Sequence, residues 1–377
     1  MTVLTRTDRS LIAQWWWTVD RWSVGAVICL ITIGMVLSFA ASPSIAVKFD
    51  YPIFHFVYRT LMYSIPAVGV LFFVSLLRPR HIRRLAAVVF VVSLVLIGLT
   101  LIIGQEVNGA NRWIRIGPVS LQPSEFIKPA FVVLAAWLFA AGNKIPSFPG
   151  NALAGLLYVM VSILLVLQPD FGQLLLLSAV WGGMFFMAGI PLVWMAALGI
   201  GAVSGTLAAY AYVPHVTSRI DRFFNPEVGD TYQVDKAIEA FKEGGFVGLG
   251  PGEGRIKNVL PDAHTDFVFA VAGEEYGILA CLVLVGIFCF IVARSYLRAM
   301  TANDQFMQLA GGGLVALFSL QTLINMGVNL NLLPAKGMTL PFVSYGGSSL
   351  FAMALTIGML LAVTRRGWSS EHGVQRL

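Results

Sequence analysis

The chain has 377 residues, of which 57% are hydrophobic and only 12% charged, and its mean hydropathy is +0.79. A soluble domain carries about twice that charge, so a soluble enzyme, a nucleic-acid-binding domain and a disulfide-stapled scaffold are excluded. The formal net charge of +6 gains meaning only from where the cations fall.

Apolar runs near the ~20 residues that cross a hydrocarbon core recur along the sequence. They predict an all-α polytopic membrane protein, a single membrane domain with about ten transmembrane helices. The spans fall at roughly 22–41, 53–77, 85–104, 126–141, 151–168, 172–189, 191–213, 267–293, 306–331 and 347–364. Arg6, Arg9 and the Trp15–Trp17 cluster precede the first span, which is too long for a cleaved leader's core and reads as a retained anchor. Arg78, Arg80, Arg83 and Arg84 lie between spans two and three, Arg294 and Arg298 after span eight, and Arg365 and Arg366 after span ten. A cytoplasmic N-terminus puts all of them on the inner side, as the positive-inside rule expects, and leaves both termini inside.

The same topology places the 105–124 and 332–346 loops, and the long hydrophilic segment 214–266, on the outer face. Arg112, Arg115, Arg219, Arg222, Lys236, Lys242, Arg255, Lys257 and Lys336 lie there, where the rule disfavours them. Either the neighbouring Asp221, Glu227, Asp230, Asp235, Glu239, Glu243 and Glu253 neutralise them, or they face an anionic ligand. No inverted repeat stands out, and the polar residues gather near the outer ends of the spans, which argues against a midplane transport site.

Three cysteines, Cys29, Cys281 and Cys289, sit in apolar runs, and the five histidines show no metal-ligand spacing. Ionisable residues within or against spans are costly and are functional candidates. Glu125 and Lys128, three apart at the start of span four, share a helical face and can neutralise each other. Arg59 in span two and Asp170 in the QPDFG break are both near the outer boundary and can pair across helices. Glu274 and Glu275, two turns into span eight, are expected to pair with charges in neighbouring spans. The segment VLPDAHTDFVF at 259–269 brings Asp266 to the water–membrane boundary. Thr265 or Asp266 could cap the following helix; alternatively Asp266 is a partly desolvated carboxylate with a raised pKa, usable as a base. The run GGFVGLGPGEG at 244–254 lacks the ending of a phosphate-binding loop and reads as a flexible turn whose N–H groups can approach an anion. The aromatic stretch SRIDRFFNPE looks amphipathic and suits the membrane surface.

Five segments together resemble the SEDS family (shape, elongation, division and sporulation proteins), over nearly the whole chain. They are GANRWIRIGPVSLQPSEFIKP at 109–129, QPDFG at 168–172, SRIDRFFNP at 218–226, VLPDAHTDFVFAVAGEE at 259–275 and NMGVNLNLLPAKGMTLPFVSYGGSS at 325–349. The LLPAKGMTLPF segment and the GPGEG loop are more similar to division-type than elongation-type members. Asp262, where many members have Glu, and the charged stretch YQVDKAIEAF depart from the family pattern.

The resemblance implies a peptidoglycan glycosyltransferase acting on lipid II, a disaccharide-pentapeptide carried on undecaprenyl pyrophosphate. The aspartate regarded as catalytic in the family falls on Asp266, and Arg59–Asp170 and Glu125–Lys128 match charged pairs kept at the family's core. Arg112, Arg219, Arg222, Lys336, His264 and Ser344 are the candidate contacts to pyrophosphate and sugar. No metal site is assigned; a divalent cation (Mg2+ or Mn2+) would share the pyrophosphate's charge, but no ligand set establishes one. The implied partners are a class B penicillin-binding transpeptidase, other division proteins and membrane lipid, without nucleic acid, at the septum of the bacterial inner membrane. A lipid II flippase and a non-catalytic division scaffold are the alternative readings.

Overall fold

The computed structural model describes residues 10–48, 50–107, 110–117, 119–212, 217, 221, 232–334 and 337–365. In chain order its helices are α1 (Leu11–Thr18), α2 (Arg21–Ala41), α3 (Pro43–Lys48), α4 (His55–Ser75), α5 (Pro79–Ile103), α6 (Pro123–Lys144), α7 (Gly150–Leu167), α8 (Phe171–Met187) and α9 (Leu192–Tyr212). They continue with α10 (Tyr232–Gly244), α11 (Val268–Met300), α12 (Gln305–Asn329) and α13 (Gly347–Val363). Helices thus stand at each of the ten predicted spans. Among the described residues, seven are long and apolar enough to cross a membrane, and α8 and α13 are apolar but shorter. Local chemistry starts several of them. Asp20 accepts the Trp22 N–H to cap α2, and Asp304 accepts the Phe306 N–H to cap α12. Pro79 and Pro123 occupy first turns, where a missing N–H costs nothing.

Lipid supplies no hydrophobic drive between helices, so close packing and satisfied polar groups must hold the bundle. α6, α12 and α13 form its buried centre. α6 packs on α5, α7 and α12; α12 also meets α8 and α11, while α13 packs on α4. The Gly311–Gly313 run allows this approach. A Cβ on Gly311 would sit 2.6 Å from that of Ala299 on α11, and one on Gly313 would sit 2.7 Å from Val132 on α6 and Met184 on α8. α2, α4, α5 and α7 instead present many exposed apolar side chains outward, as lipid-facing helices must.

The bundle's two ends differ. At one, Asp20 receives Arg294 at 2.7 Å and Arg298 at 3.1 Å, and Arg83 covers the Phe306 ring. Arg365 reaches the main-chain oxygens of Ser75 and Leu76 there. The opposite end carries the polar connections, and these are more structured than their composition suggests. Residues 105–121, expected to be a loop, contain a three-stranded antiparallel meander of β1 (Gln105–Val107), β2 (Ala110–Ile116) and β3 (Val119–Leu121). Arg115 pairs with Ser120 and Ile114 with Leu121 in its register. Ser348 at the start of α13 fastens it, donating to the Ser120 carbonyl and accepting from the Gln122 N–H, both at 3.0 Å.

The 332–346 connection is not confined to the surface either. Met338, Leu340, Phe342, Val343 and Ser344 are buried, and the first four belong to the main apolar core. Non-helical backbone at membrane depth is tolerated only when protein covers it. Gly34 on α2 provides that cover, since a Cβ there would lie 2.6 Å from the Phe342 oxygen. The fold therefore sends part of this connection back into the bundle, close to the start of α11.

Candidate active site

Asp266 lies on the tight turn that enters α11. The carbonyl of Asp262 organises this turn by accepting from the N–H groups of Thr265, Asp266 and Phe267 at 3.0–3.3 Å. Asp262 itself has φ of 53°, a left-handed conformation that aspartate tolerates better than most residues. The helix-cap reading of Thr265 and Asp266 is overturned. The Thr265 hydroxyl donates to the Asp262 carbonyl, the cap position is Phe267, and no side chain of that residue serves it. The buried Ala270 N–H, in the first turn of the helix, instead donates to Asn329 Oδ1 on α12, at 3.1 Å.

Asn325 and Asn329, one turn apart on α12, hold the Asp266 peptide. The Nδ2 of each donates to the Asp266 main-chain oxygen at 2.9 Å. Asn325 Nδ2 also donates to the Met338 carbonyl at 2.6 Å, joining Asp266 to the buried connection. Half-buried Asp266 lines a cavity of about 30 Å³ together with Gln233, Phe267, Asn325, Val328, Gly337 and Met338. Gln233 comes from α10, whose Ala237, Ala240 and Gly244 are buried and which packs against α11. The site is thus assembled from α10, the α11 turn, α12 and the re-entrant connection.

A buried polar network supports the connection from below. Lys128 Nζ donates to Glu125 Oε2 at 3.0 Å, Gln173 Oε1 at 2.7 Å and Gln321 Oε1 at 3.1 Å, which uses all three of its protons. Gln173 returns a 2.6 Å bond to Glu125, and Gln321 donates to the Thr339 carbonyl at 3.3 Å. Glu125 and Lys128 therefore form the ion pair that their spacing allows, completely inside the bundle.

Asp170 and Arg59 do not pair. Arg112 takes Asp170, with Nη1 at 3.5 Å from Oδ1, and also donates to the carbonyls of Gln168 and Pro169. The β2 strand carries Arg112 over the QPDFG break, whereas Arg59 on α4 hydrogen-bonds Tyr345. Arg112, a candidate anion contact, is consequently committed to an internal tie. Ser344 is also internal: its Oγ accepts the Leu340 N–H at 2.8 Å and closes the connection's own turn. His264 stacks on Tyr345 at a centroid distance of 5.3 Å and lies 5.0 Å from the Phe56 ring. Burial pushes its pKa down to about 4, so it is neutral at pH 7. Arg219, Arg222 and Lys336 lie outside the described residues, as does most of the SRIDRFFNPE stretch.

Glu274 and Glu275 find partners in the glycine-rich run and the turn just after it rather than in neighbouring spans. Glu274 accepts the N–H groups of Ile256 at 2.6 Å and Lys257 at 2.9 Å. Glu275 pairs with Lys257 Nζ and accepts the Gly252 N–H at 3.0 Å. The anion that this loop approaches is the protein's own carboxylate.

The sequence pattern of the FtsW/RodA/SpoVE cell cycle proteins matches residues 21–367. The chain belongs to that family. A curated relative from Caulobacter vibrioides, named probable peptidoglycan glycosyltransferase FtsW, is 45% identical over 98% of this chain and 97% of its own length. The FtsW relative from Trichlorobacter lovleyi is 37% identical over 90% of this chain and 91% of its own length. Among solved structures, a chain from a peptidoglycan synthase complex that coordinates polymerization and crosslinking superposes with a TM-score of 0.77. It is 28% identical, over 92% of this chain and 97% of that one. Thermus thermophilus RodA, the rod shape determining protein, gives 0.67 at 27% identity, over 93% and 97% of the two chains. The membrane-spanning helical fold is therefore the family's.

The arrangement offers one carboxylate, Asp266, and two carboxamides, Gln233 and Asn325, around a small cavity. Among the described residues no group of three or more His, Cys, Asp or Glu side chains is placed to hold a metal ion. Reading only ionisable residues in spans missed Asn325, Asn329, Gln173 and Gln321. The signal was present, because amides inside apolar helices carry the same demand for partners.

Proposed function

We propose that this FtsW-type peptidoglycan glycosyltransferase polymerises lipid II, with Asp266 as the general base. The carbon–oxygen bond to pyrophosphate is already activated, so a base and cationic stabilisation of the leaving group suffice. Asp266 accepts the proton of the acceptor GlcNAc 4-hydroxyl as that oxygen attacks the donor MurNAc anomeric carbon. The bond from that carbon to undecaprenyl pyrophosphate breaks, and the leaving group departs with the electron pair. In-line displacement converts the alpha donor into a beta-1,4 linkage. The observation that carries the reading is the placement of Asp266: it lines the cavity while two amides fix its peptide. The cavity, about 30 Å³, is the size of a water and not of a sugar ring.

In this reading the arginine-rich end faces the cytoplasm, both termini are inside and the cavity opens outward, in the bacterial inner membrane at the septum. Arg219, Arg222 and Lys336 supply the outer positive charge for the pyrophosphate. A class B penicillin-binding transpeptidase is the partner that cross-links the strands, which accords with the synthase complex among the structural relatives. Glycan polymerisation from purified lipid II, with and without that partner, tests the assignment. Wild type is expected to make polymer, and Asp266→Asn, folded to the same melting temperature, to lose at least a hundredfold in rate. Full activity of that variant would remove Asp266 from the base role.

A further inference from the structure

The Asn325 side chain is 98% hidden, at 2% relative exposure, and lines the same cavity as Asp266. Its Nδ2 has two partners, the main-chain oxygens of Asp266 and Met338. Both are acceptors only, so the amide has one permitted orientation: nitrogen toward the two carbonyls, oxygen away from them. That oxygen, Oδ1, is buried and has no hydrogen-bond partner. Among the described residues lining the cavity, it is the only buried side-chain polar atom left in this state. Asn329 differs, because its Oδ1 is spent on the Ala270 N–H.

A buried amide oxygen without a partner costs free energy, and such exceptions in otherwise satisfied networks point to strain, a bound ligand or a functional role. Here the atom belongs to a residue bonded directly to the Asp266 peptide. Asp266 and Asn325 also line the same cavity, so a group that binds there meets both residues. Oδ1 can only accept, so the missing partner must be a donor. A sugar that offers its 4-hydroxyl to Asp266 carries a second hydroxyl on the adjacent ring carbon, about one hydrogen-bond length away on the same edge.

Resting on the assignment of Asp266 as base, we propose that Asn325 Oδ1 accepts a hydrogen bond from the acceptor sugar's 3-hydroxyl. Asn325 is then a substrate-binding residue. It fixes the ring so that the 4-hydroxyl proton points at Asp266, and it discriminates against acceptors without the neighbouring hydroxyl. The proton stays on the 3-hydroxyl throughout, and no bond to Asn325 forms or breaks.

The test is a cycle between residue and substrate, using lipid II and an analogue whose GlcNAc lacks the 3-hydroxyl, with the cognate transpeptidase present. Wild type is expected to lose roughly tenfold in kcat/KM on the analogue. Asn325→Ala, which also releases the Asp266 and Met338 carbonyls, is expected to lose at least as much on normal lipid II and to be indifferent to the deletion. Asn329→Ala removes a donor from the same Asp266 carbonyl but no acceptor from the cavity. It is expected to slow both substrates and keep the tenfold preference, which a merely structural role of Asn325 would not predict. Asn325→Leu, which keeps most of the volume and has no acceptor in its side chain, repeats the measurement if the alanine variant does not fold. An Asn325 variant that still prefers the hydroxylated acceptor tenfold overturns the proposal, as does a wild type indifferent to that hydroxyl. If wild type fails even on normal lipid II, the glycosyltransferase reading itself falls and takes this one with it.

Discussion

Asn329 Nδ2 lies 2.9 Å from the main-chain oxygen of Asp266, while Oδ1 of the same amide accepts the Ala270 N–H at 3.1 Å. One side chain on α12 thus both begins α11 and positions the turn preceding it. Asn329→Ala should cost about 1–3 kcal/mol, because it strands a buried N–H and weakens the hold on a carbonyl. Small misplacements of a reacting group are expensive, so polymerisation should also fall by roughly ten- to a hundredfold. Thermal unfolding in detergent and the rate on lipid II check the two effects. A variant with unchanged rate would show that the Asp266 turn holds itself.

Arg112, not Arg59, is the partner of Asp170, and this has a measurable consequence. In a double-mutant cycle on unfolding stability, Arg112→Gln and Asp170→Asn should couple by about 1–3 kcal/mol, since the carboxylate is buried. Arg59→Gln and Asp170→Asn should add without coupling. A larger coupling to Arg59 would contradict the structure.

Why this partner could not be read from the sequence is instructive. Hydropathy locates helices, and the i, i+3 spacing of Glu125 and Lys128 is a local rule, so both were legible. Arg112 meets Asp170 only because the β meander folds over the α7–α8 break, a long-range event with no local signature. The meander was itself concealed by a Gly-Pro-rich stretch, although Ala110–Ile116 is long enough for a strand. Residues 338–344 read as a surface loop by composition, yet they are buried because Gly34 leaves room on α2. Asp266 is legible because a carboxylate at a span boundary is costly, whereas the asparagines that hold it carry no charge and give no such signal one by one.

Gly277 interrupts α11 with φ of 74° and ψ of −177°, a region that essentially only glycine occupies. A Cβ there would lie 2.4 Å from the Phe246 oxygen and 2.5 Å from the Gly248 nitrogen. Strain and collision add, so Gly277→Ala should destabilise by about 3 kcal/mol or more. The glycine loop that serves Glu274 and Glu275 should be displaced with it. Lower melting temperature and faster proteolysis between residues 244 and 258 would report this. An alanine variant as stable as wild type would mean the kink is not required.

His264 gives the site end a defined pH response. Its folded pKa is held down to about 4 by burial among Phe56 and Tyr345, with Arg59 beyond Tyr345 and Asp262 on the same turn. Unfolded, it titrates near ~6.5. Lowering the pH through that value protonates the unfolded chain first. Its stabilising contribution is therefore complete above about pH 6.5 and drains away toward pH 4. A shift of that size corresponds to an effect on the order of 3 kcal/mol. His264→Phe keeps an aromatic ring for stacking and cannot titrate. Melting temperatures from pH 7.5 to 4.5 should show the wild type losing stability relative to that variant, with the change beginning near pH 6.5. A constant difference across the range would mean that His264 is not held neutral by its surroundings.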